Sequence, residues 1–556
     1  MRILFNSFYN QAFKAHSYKV NPKTSQFSIQ TDNNPKLGEE PYLVYKTGNS
    51  SYDKASMEKE GSVYTCPVYI GFMTPEENIS YHIEYKDTNC VDKKDVKDYS
   101  VNPAYLIQQA LIETRNRYRQ PLIQTINSGS TVGKILCKSS FSAFESVDDI
   151  DEPTIIVADM FHSQLGNPNI VGLILTSFDL GALSHMGTQF RNNTNVCGVL
   201  YDPMYVELLK NFNGQNVRLS LSDNKLEVVQ TDEKGKPKVY PQISIPEQKT
   251  YDRVLSSSEY STDTVGAKAV NLKRLEELVQ SGKIDIKIPK SIALPNSWVQ
   301  NLFDKNIGQK VFYEKDKERY ICKEVAPAFY DNSFESLMQG LIHIMDINGL
   351  DVQASNVMVR SAFNGEDLAD YSAAGLYKSE MTSITPENLY NSIVDVAQSK
   401  WSDEAIHSRK MMNIPDSIIK PTILIQDCIT PDYKFTVYTN FDNQDKMRIE
   451  VLSGTYIEAS DAISPHVFEY DKKTKELTYK SIQMLSPNVC FDETLQNIEL
   501  EPILDDLAQR TEVFDLLNKL IQNAIVIENE FGHPQDIEGG FVGNDIYLWQ
   551  ARNIVK

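Results

Sequence analysis

The chain has 556 residues, 41% of them hydrophobic and 23% charged, with a formal net charge of -20. That length suits about three or four domains with packed cores, and the acidic balance argues against generic binding to nucleic acid or to an anionic membrane, both polyanions. Seven cysteines, an odd number with no C-x-x-C spacing, argue against a disulfide framework or a zinc cluster and fit a reducing compartment. No apolar run reaches bilayer length, and the opening MRILFNSFYNQAFKAHSYKV lacks the apolar core of a signal peptide, so a cytoplasmic location is expected.

Residues 1–102 are rich in Tyr, Asn, Ser and Lys, and VYTCPVYIGF and YHIEYKD have the β-branched and aromatic content of strands. They read as a small β-rich module. From Pro103, AYLIQQALIETRNRY has helical spacing and leads a second unit, 103–231. In that unit the short apolar runs TIIVAD, VGLILTS and VCGVLYD read as buried strands of an α/β domain. The polar stretch 232–264, with Pro, Gly and Ser and no periodicity, reads as a linker.

The last unit, 265–556, alternates helices and strands. A helix opens near Ala267, with Ala269, Leu272, Leu275 and Val279 on one face, and a second surrounds FESLMQGLIHIM. Strands VMVRS, TILIQ, KFTVYT and RIEVL follow, then a long helix near 501–528 and the closing pair DIEGGFV and DIYLWQAR. The fold class expected is multidomain α/β and α+β.

Chemistry concentrates in a few places. His185 follows a strand and a short loop and opens a segment that can be helical, where free N–H groups and positive potential suit a phosphoryl group. An imidazole is also a competent nucleophile toward polarised phosphorus, although a lone histidine is more often structural. Lys268, just after Gly266 in TVGAKAVNLKRL, sits where a flexible loop meets a helix; it suits a polyphosphate or is simply solvated. Arg360 leaves an apolar strand in VMVRSAFNGEDL and needs an anion there, either phosphate or Glu366 or Asp367.

Near the C-terminus, Asp536 and Glu538 lie two apart, as do Gln550 and Arg552, so on strands each pair shares a face. Paired carboxylates repel unless a cation sits between them, and Mg²⁺ prefers oxygen ligands. A tight Gly543–Asn544 turn puts the two pairs on opposite faces. All four meet one ligand only if the register slips by one residue, and Gly539–Gly540 is a natural place for that bulge.

The phrase TS-x-D-x-x-x-LSH-x-x-x-x-x-RN around His185 resembles the phosphohistidine motif of the phosphoenolpyruvate synthase and pyruvate phosphate dikinase family, closest to the glucan, water dikinases. NGEDL followed by AGLY, and QDIEG followed by a strand and Q-A-R, resemble the ATP-grasp nucleotide-binding domain of the same enzymes over nearly all of 255–556. The resemblance implies a swivelling phosphohistidine domain at 103–231, a hinge at 232–264 and an ATP-grasp domain at 265–556, with 1–102 helping to place the acceptor. It implies that His185 carries the phosphoryl group and that Lys268, Arg360 and Arg552 contact phosphates. Asp536, Glu538 and Gln550 would serve Mg²⁺ and phosphate, and the backbone at Gln426, Asp427, Cys428 and Ile429 would lie along adenine.

Two departures stand out. The family's Gly-Leu-Gly-Glu loop reads SGTYIEAS here, keeping Gly454 and moving the acid to Glu458, and the second Trp expected around SKWSDEAIHSRK is missing. With four residues after Arg552, neither a pyruvate-binding barrel nor starch-binding modules are expected. The implied reaction moves the β-phosphoryl group of ATP through His185 to a carbohydrate hydroxyl and gives the γ-phosphate to water. The alternatives are the same chemistry on a small molecule or antibiotic, or a catalytically reduced nucleotide-binding protein.

Overall fold

The computed structural model describes residues 16–554 apart from 22–25, 32–39, 48–49, 61–62, 71–76, 87–91, 95–97, 118–121, 139–148, 159–166, 177–181, 184, 223, 241–242, 305–308, 315–318, 325–331, 369–372, 374, 442–444, 454–464, 482–483, 493–497 and 505–510. The altered Gly454–Glu458 loop therefore lies outside the described residues.

The N-terminal strands form two sheets over one core. Glu40–Thr47 and Ile79–Lys86 pair antiparallel and bury alternate residues, Leu43 from one and Tyr81 and Ile83 from the other. The second sheet runs Ile498–Leu504, Met484–Asp492, His16–Asn21, Gln26–Thr31, Val63–Val68, Glu58–Glu60. Two of its strands thus come from the far end of the chain, Ser17 pairing with Asp492 and Val20 with Val489. Helix Pro103–Arg117 closes this core with Leu106, Ile107 and Ala110.

The next unit is a seven-stranded sheet in the order Ile123–Asn127, Val196–Leu200, Ile170–Leu175, Thr154–Ala158, Gly129–Lys138, Asn216–Ser222, Lys225–Gln230. Its three central pairings are parallel. Thr154–Ala158, Ile170–Leu175 and Val196–Leu200 are buried at every position because both faces are covered. One face packs toward the N-terminal core through Ile156, Leu173 and Val199, the other against helix Pro203–Asn211 through Ile155, Ile174 and Val196. Helix His185–Asn193 crosses the first of these faces, with Phe190 buried.

From 255 onward two sheets face a cleft. The first runs Leu255–Ser256, Ser291–Leu294, Ile423–Asp427, Asn356–Ser361, Ser379–Ser383; the second runs Glu476–Ser481, His466–Asp471, Lys446–Ser453, Tyr433–Phe441, Gln535–Val542, Asp545–Asn553. Helix Ala267–Gln280 buries Ala269, Leu272, Leu275 and Leu278, the last taking the place expected for Val279. The long C-terminal helix starts at Thr511 rather than near 501, and Ile498–Leu504 is a strand. There Ile498 and Leu500 alternate with Glu499 and Glu501, and Pro502 lacks the N–H that a helix interior needs.

The stretch 232–264 is packed at both ends. Its first part lies on the seven-stranded sheet, where the Lys238 N–H donates to the Pro168 carbonyl (2.7 Å) and its ammonium donates to the carbonyls of Asn192 and Thr194, at the end of the histidine helix. Further on, Ile243, Ile245 and Val254 pack against the core beneath the first sheet, and Asn364 donates to the Pro246 carbonyl at 2.9 Å.

Gly266 lets the helix bearing Lys268 approach the end of the Arg360 strand. A Cβ there would sit 2.3 Å from the carbonyl oxygens of Ala362 and Phe363, whereas one on Gly340, exposed in helix Asn332–Ile347, would meet nothing within 4 Å. Gly266→Ala is therefore expected to cost about 1–3 kcal/mol and Gly340→Ala to gain up to ~1 kcal/mol. Thermal unfolding midpoints moving in opposite directions would bear this out; equal shifts would refute it.

Candidate active site

The closing strands set the geometry. Asp536 pairs with Arg552 and Glu538 with Gln550 across the ladder; then the register shifts, Gly539 facing Leu548 and leaving Trp549 without a partner. The slip expected from the sequence is present, with the extra residue on the last strand, at Trp549. It puts all four polar side chains on one face. Gly539 and Gly540 serve packing instead: a Cβ on Gly539 would lie 2.4 Å from the Phe435 ring, and one on Gly540 2.5 Å from Pro431.

Arg552 is 6% exposed. It donates to Asp536 through Nε (2.8 Å), lies 3.3 Å from Glu538 and 3.6 Å from Asp367. Burial works against its charge, but Asp536, Glu538 and Asp367 together raise its pKa well above the ordinary guanidinium value. Burial pushes the Asp536 carboxyl up while Arg552 pulls it back. Asp367 holds a left-handed backbone (φ 51°), a strained conformation kept by its contacts to Arg552 and to Gln550 Nε2 (3.5 Å).

Arg360 arrives from the other sheet. Its guanidinium donates to Gln550 Oε1 at 2.7 Å, Gln426 Oε1 at 3.3 Å and the Trp549 carbonyl at 2.9 Å, the carbonyl of the bulged residue. Among the described residues it has no carboxylate within salt-bridge distance, and the two acids weighed as its partners are used elsewhere: Glu366 pairs with Lys268 (2.7 Å) and Asp367 with Arg552. Burial lowers the Arg360 pKa. Lys268, 6% exposed, also donates to the Ser361 carbonyl at 2.9 Å.

These groups line a cavity of about 620 Å³ between the two sheets. Lys268, Arg360, Gln550, Arg552 and Glu538 are on its wall, as are Gln426, Asp427, Cys428 and Ile429 at the end of strand Ile423–Asp427. Asp536 is 2% exposed and sits behind the wall, beneath Arg552. The Asp427 carboxylate faces away, accepting from the N–H groups of Asp351 (2.9 Å) and Lys290 (3.3 Å), which leaves the backbone of that segment to face the cavity. His185 is the first residue of helix His185–Asn193, and Leu183, two residues earlier, lines the same cavity.

Sequence reasoning passed over Glu366, Asp367, Lys434, Thr436 and Glu450 as cavity residues. Lys434 and Thr436 carry a readable signal, since they alternate with buried Phe435 and Val437 on strand Tyr433–Phe441. Glu450 faces Thr436 from the neighbouring strand, a pairing without local signature.

Among the described residues no group of three His, Cys, Asp or Glu forms a metal cage. The donor chemistry still suits Mg²⁺, which usually takes one or two carboxylates and completes its shell with phosphate oxygens and water. Glu538 and Gln550 are on the wall, and the buried Asp536 Oδ1 has no hydrogen-bond partner.

Arg552→Ala would leave Asp536, Glu538 and Asp367 facing one another without their cation. A loss of about 3–5 kcal/mol is expected at neutral pH. Without Arg552, burial would hold the Asp536 carboxyl higher in the folded than in the unfolded chain, so the deficit should shrink as the pH falls. Denaturant unfolding from pH 7.5 down to pH 5 checks the sign; a deficit independent of pH would refute it.

Residues 262–556 match the family described as "Pyruvate phosphate dikinase, AMP/ATP-binding domain". The chain is similar to alpha-glucan water dikinase 2 of Arabidopsis thaliana, 25% identical over 485 residues, which is 77% of this chain and 35% of that protein. The chloroplastic alpha-glucan water dikinase of Solanum tuberosum is 22% identical over 489 residues, 79% of this chain and 32% of that one. A probable phosphoenolpyruvate synthase of Methanocaldococcus jannaschii is 26% identical over 203 residues, 36% of this chain and 17% of its own. The chain thus spans about a third of the length of the glucan water dikinases it matches. With the family match covering more than half of its residues, the chain belongs to the pyruvate phosphate dikinase and phosphoenolpyruvate synthase family, as a glucan water dikinase-like member.

Proposed function

We propose that this protein is an ATP-dependent dikinase that moves the β-phosphoryl group of ATP to His185 and from there to an acceptor hydroxyl. The observation that carries the reading is the cavity itself: three buried cations, Lys268, Arg360 and Arg552, converge on one space, and Leu183, two residues before His185, is on its wall. In this reading the polyphosphate takes Lys268 from Glu366 and Arg552 from its carboxylates, while the adenine lies along Gln426–Ile429. Mg²⁺, when bound by Glu538, Gln550 and Asp536, would neutralise charge on the phosphate oxygens.

In the first half-reaction an imidazole nitrogen forms a bond to the β-phosphorus and the bond to the α-phosphate oxygen breaks, releasing AMP. Water attacks the γ-phosphorus, breaking the β–γ bridge and releasing phosphate. In the second, the N–P bond breaks as the acceptor oxygen bonds phosphorus and gives up its proton. Two distant half-sites require the histidine unit to swing, and 232–264 is the proposed hinge.

The acceptor proposed is a carbohydrate, α-glucan-like, which rests on the names of the similar proteins. Exposed Tyr52, Tyr69 and Tyr105 in the N-terminal region offer rings on which sugars can stack.

With ATP labelled separately at β and γ, only β-label is expected on the protein, acid-labile and base-stable, and none on His185→Ala. Label from γ, or undiminished label on the variant, would sink the reading. Arg360→Lys keeps the charge but loses the fork, and ATP affinity is expected to fall about tenfold or more, ~1.4 kcal/mol, by equilibrium binding; unchanged affinity would remove Arg360 from the phosphate site.

A further inference from the structure

Strands Tyr433–Phe441 and Lys446–Ser453 form the cavity wall nearest the histidine helix, and some of their side chains bond to that helix and to Leu183 before it. Thr436 pairs with Glu450 and Tyr438 with Arg448. Glu450 is 6% exposed and divides its carboxylate between two partners: one oxygen accepts from Arg448 Nε at 2.8 Å, the other from the backbone N–H of Leu183 at 3.1 Å. Leu183 is two residues from His185 and itself 6% exposed.

The helix beyond His185 meets the same strands. The Thr188 hydroxyl is 3.3 Å from the Tyr438 hydroxyl. The Arg191 guanidinium packs over the rings of Tyr438 (4.8 Å) and Phe441 (5.6 Å), and it donates to the carbonyls of Ala182 and Ile126. Arg448 lies against the Phe441 ring as well, at 4.9 Å. The segment 182–191 is thereby held at both ends of the histidine: at Leu183 by Glu450 and, after one helical turn, by Tyr438.

We propose that Glu450 is a positioning residue that seats the histidine loop at the cavity for the first half-reaction, with Tyr438 as its second anchor. The inference rests on the dikinase reading and deepens it. Glu450 acts through the Leu183 backbone, not on phosphate. Among the described residues its second oxygen takes its hydrogen bond from the Leu183 N–H, a donor that it would lose if the histidine unit swung away. A buried carboxylate relieved of a charge-assisted hydrogen bond must find another donor, so Glu450 favours the docked arrangement. Arg448 holds the carboxylate in place in either arrangement, being on the same strand.

The test compares the full-length wild type with Glu450→Ala, Glu450→Gln and Tyr438→Phe. Three quantities are read: the rate at which β-labelled ATP marks His185, equilibrium ATP affinity, and hydrogen exchange of the Leu183 amide. In Glu450→Ala the labelling rate is expected to fall roughly tenfold to a hundredfold, with ATP affinity within about twofold of wild type and the Leu183 amide exchanging faster. Glu450→Gln keeps an accepting oxygen and should recover part of the rate. Tyr438→Phe, which removes a hydroxyl alone, should give a smaller loss in the same direction and stands in if the alanine variant does not fold. Wild-type labelling and wild-type Leu183 exchange in Glu450→Ala, or a loss of ATP affinity as large as the loss of rate, would overturn the proposal. If the wild type itself takes no β-label, the dikinase reading fails, and exchange at Leu183 still decides whether Glu450 seats the loop.

Discussion

Arg552 is a buried guanidinium, and a charge so far from water persists only where the protein surrounds it with opposite charge. Three carboxylates do so, delivered by two irregularities of the backbone. Asp536 and Glu538 share its face because Trp549 drops out of the ladder. Asp367 reaches it from a left-handed position in the loop that follows strand Asn356–Ser361. On the neighbouring strand Gln535–Val542, Gly539 and Gly540 let Phe435 and Pro431 pack closely. The same bulge presents the Trp549 carbonyl to Arg360. One irregular residue in the last strand therefore ties the two sheets together across the cavity.

That network has a chemical consequence for the proposed function. In the structure the three buried cations Lys268, Arg360 and Arg552 are all engaged: Lys268 with Glu366, Arg552 with Asp536, Glu538 and Asp367, Arg360 with two glutamines. On the proposed reading, a polyphosphate would draw Lys268 and Arg552 from their carboxylates. Those carboxylates would then need new positive charge, which a divalent cation arriving with the nucleotide would supply. Nucleotide and metal would thus complete one another's site, taking over the charge balance that the internal ion pairs keep here.

Much of this was legible in the sequence where the governing physics is local. Two pairs of polar residues on two adjoining strands could meet only through a register slip, and the slip is there. TIIVAD and VGLILTS announced strands covered on both faces. Partner choice was not legible. Arg360 lies close in sequence to Glu366 and Asp367, yet the fold gives one acid to Lys268 and the other to Arg552, since the Gly266 approach and the last strand decide which cation each acid meets. Nor could composition show that the N-terminal sheet takes two strands from 484–504, because strand pairing between distant segments leaves no periodic trace in either. The histidine loop's partner, Glu450, was hidden for the same reason.

The connector 232–264 shows how a polar, aperiodic stretch can mislead. It lacks the pattern of a helix or strand, yet most of it is fastened. Lys238, with its pKa pushed down to about 8 by burial, caps the carbonyl end of the helix that begins at His185, where a cation also opposes the helix dipole. On the other side, Pro246 and Gln248 are hydrogen-bonded to Asn364 and Thr422, and Asn364 immediately precedes the loop that supplies Glu366 and Asp367. Lys238 and Pro246 are thus both fastened, so a swing of the proposed kind would have to loosen one of these ends or turn between them. On the proposed reading, the two clamps of the connector sit on the two parts that a swing would coordinate, the helix that begins at His185 and the loop whose Glu366 and Asp367 pair with Lys268 and Arg552. A connector fastened at both ends would then turn over a shorter hinge than its composition suggests.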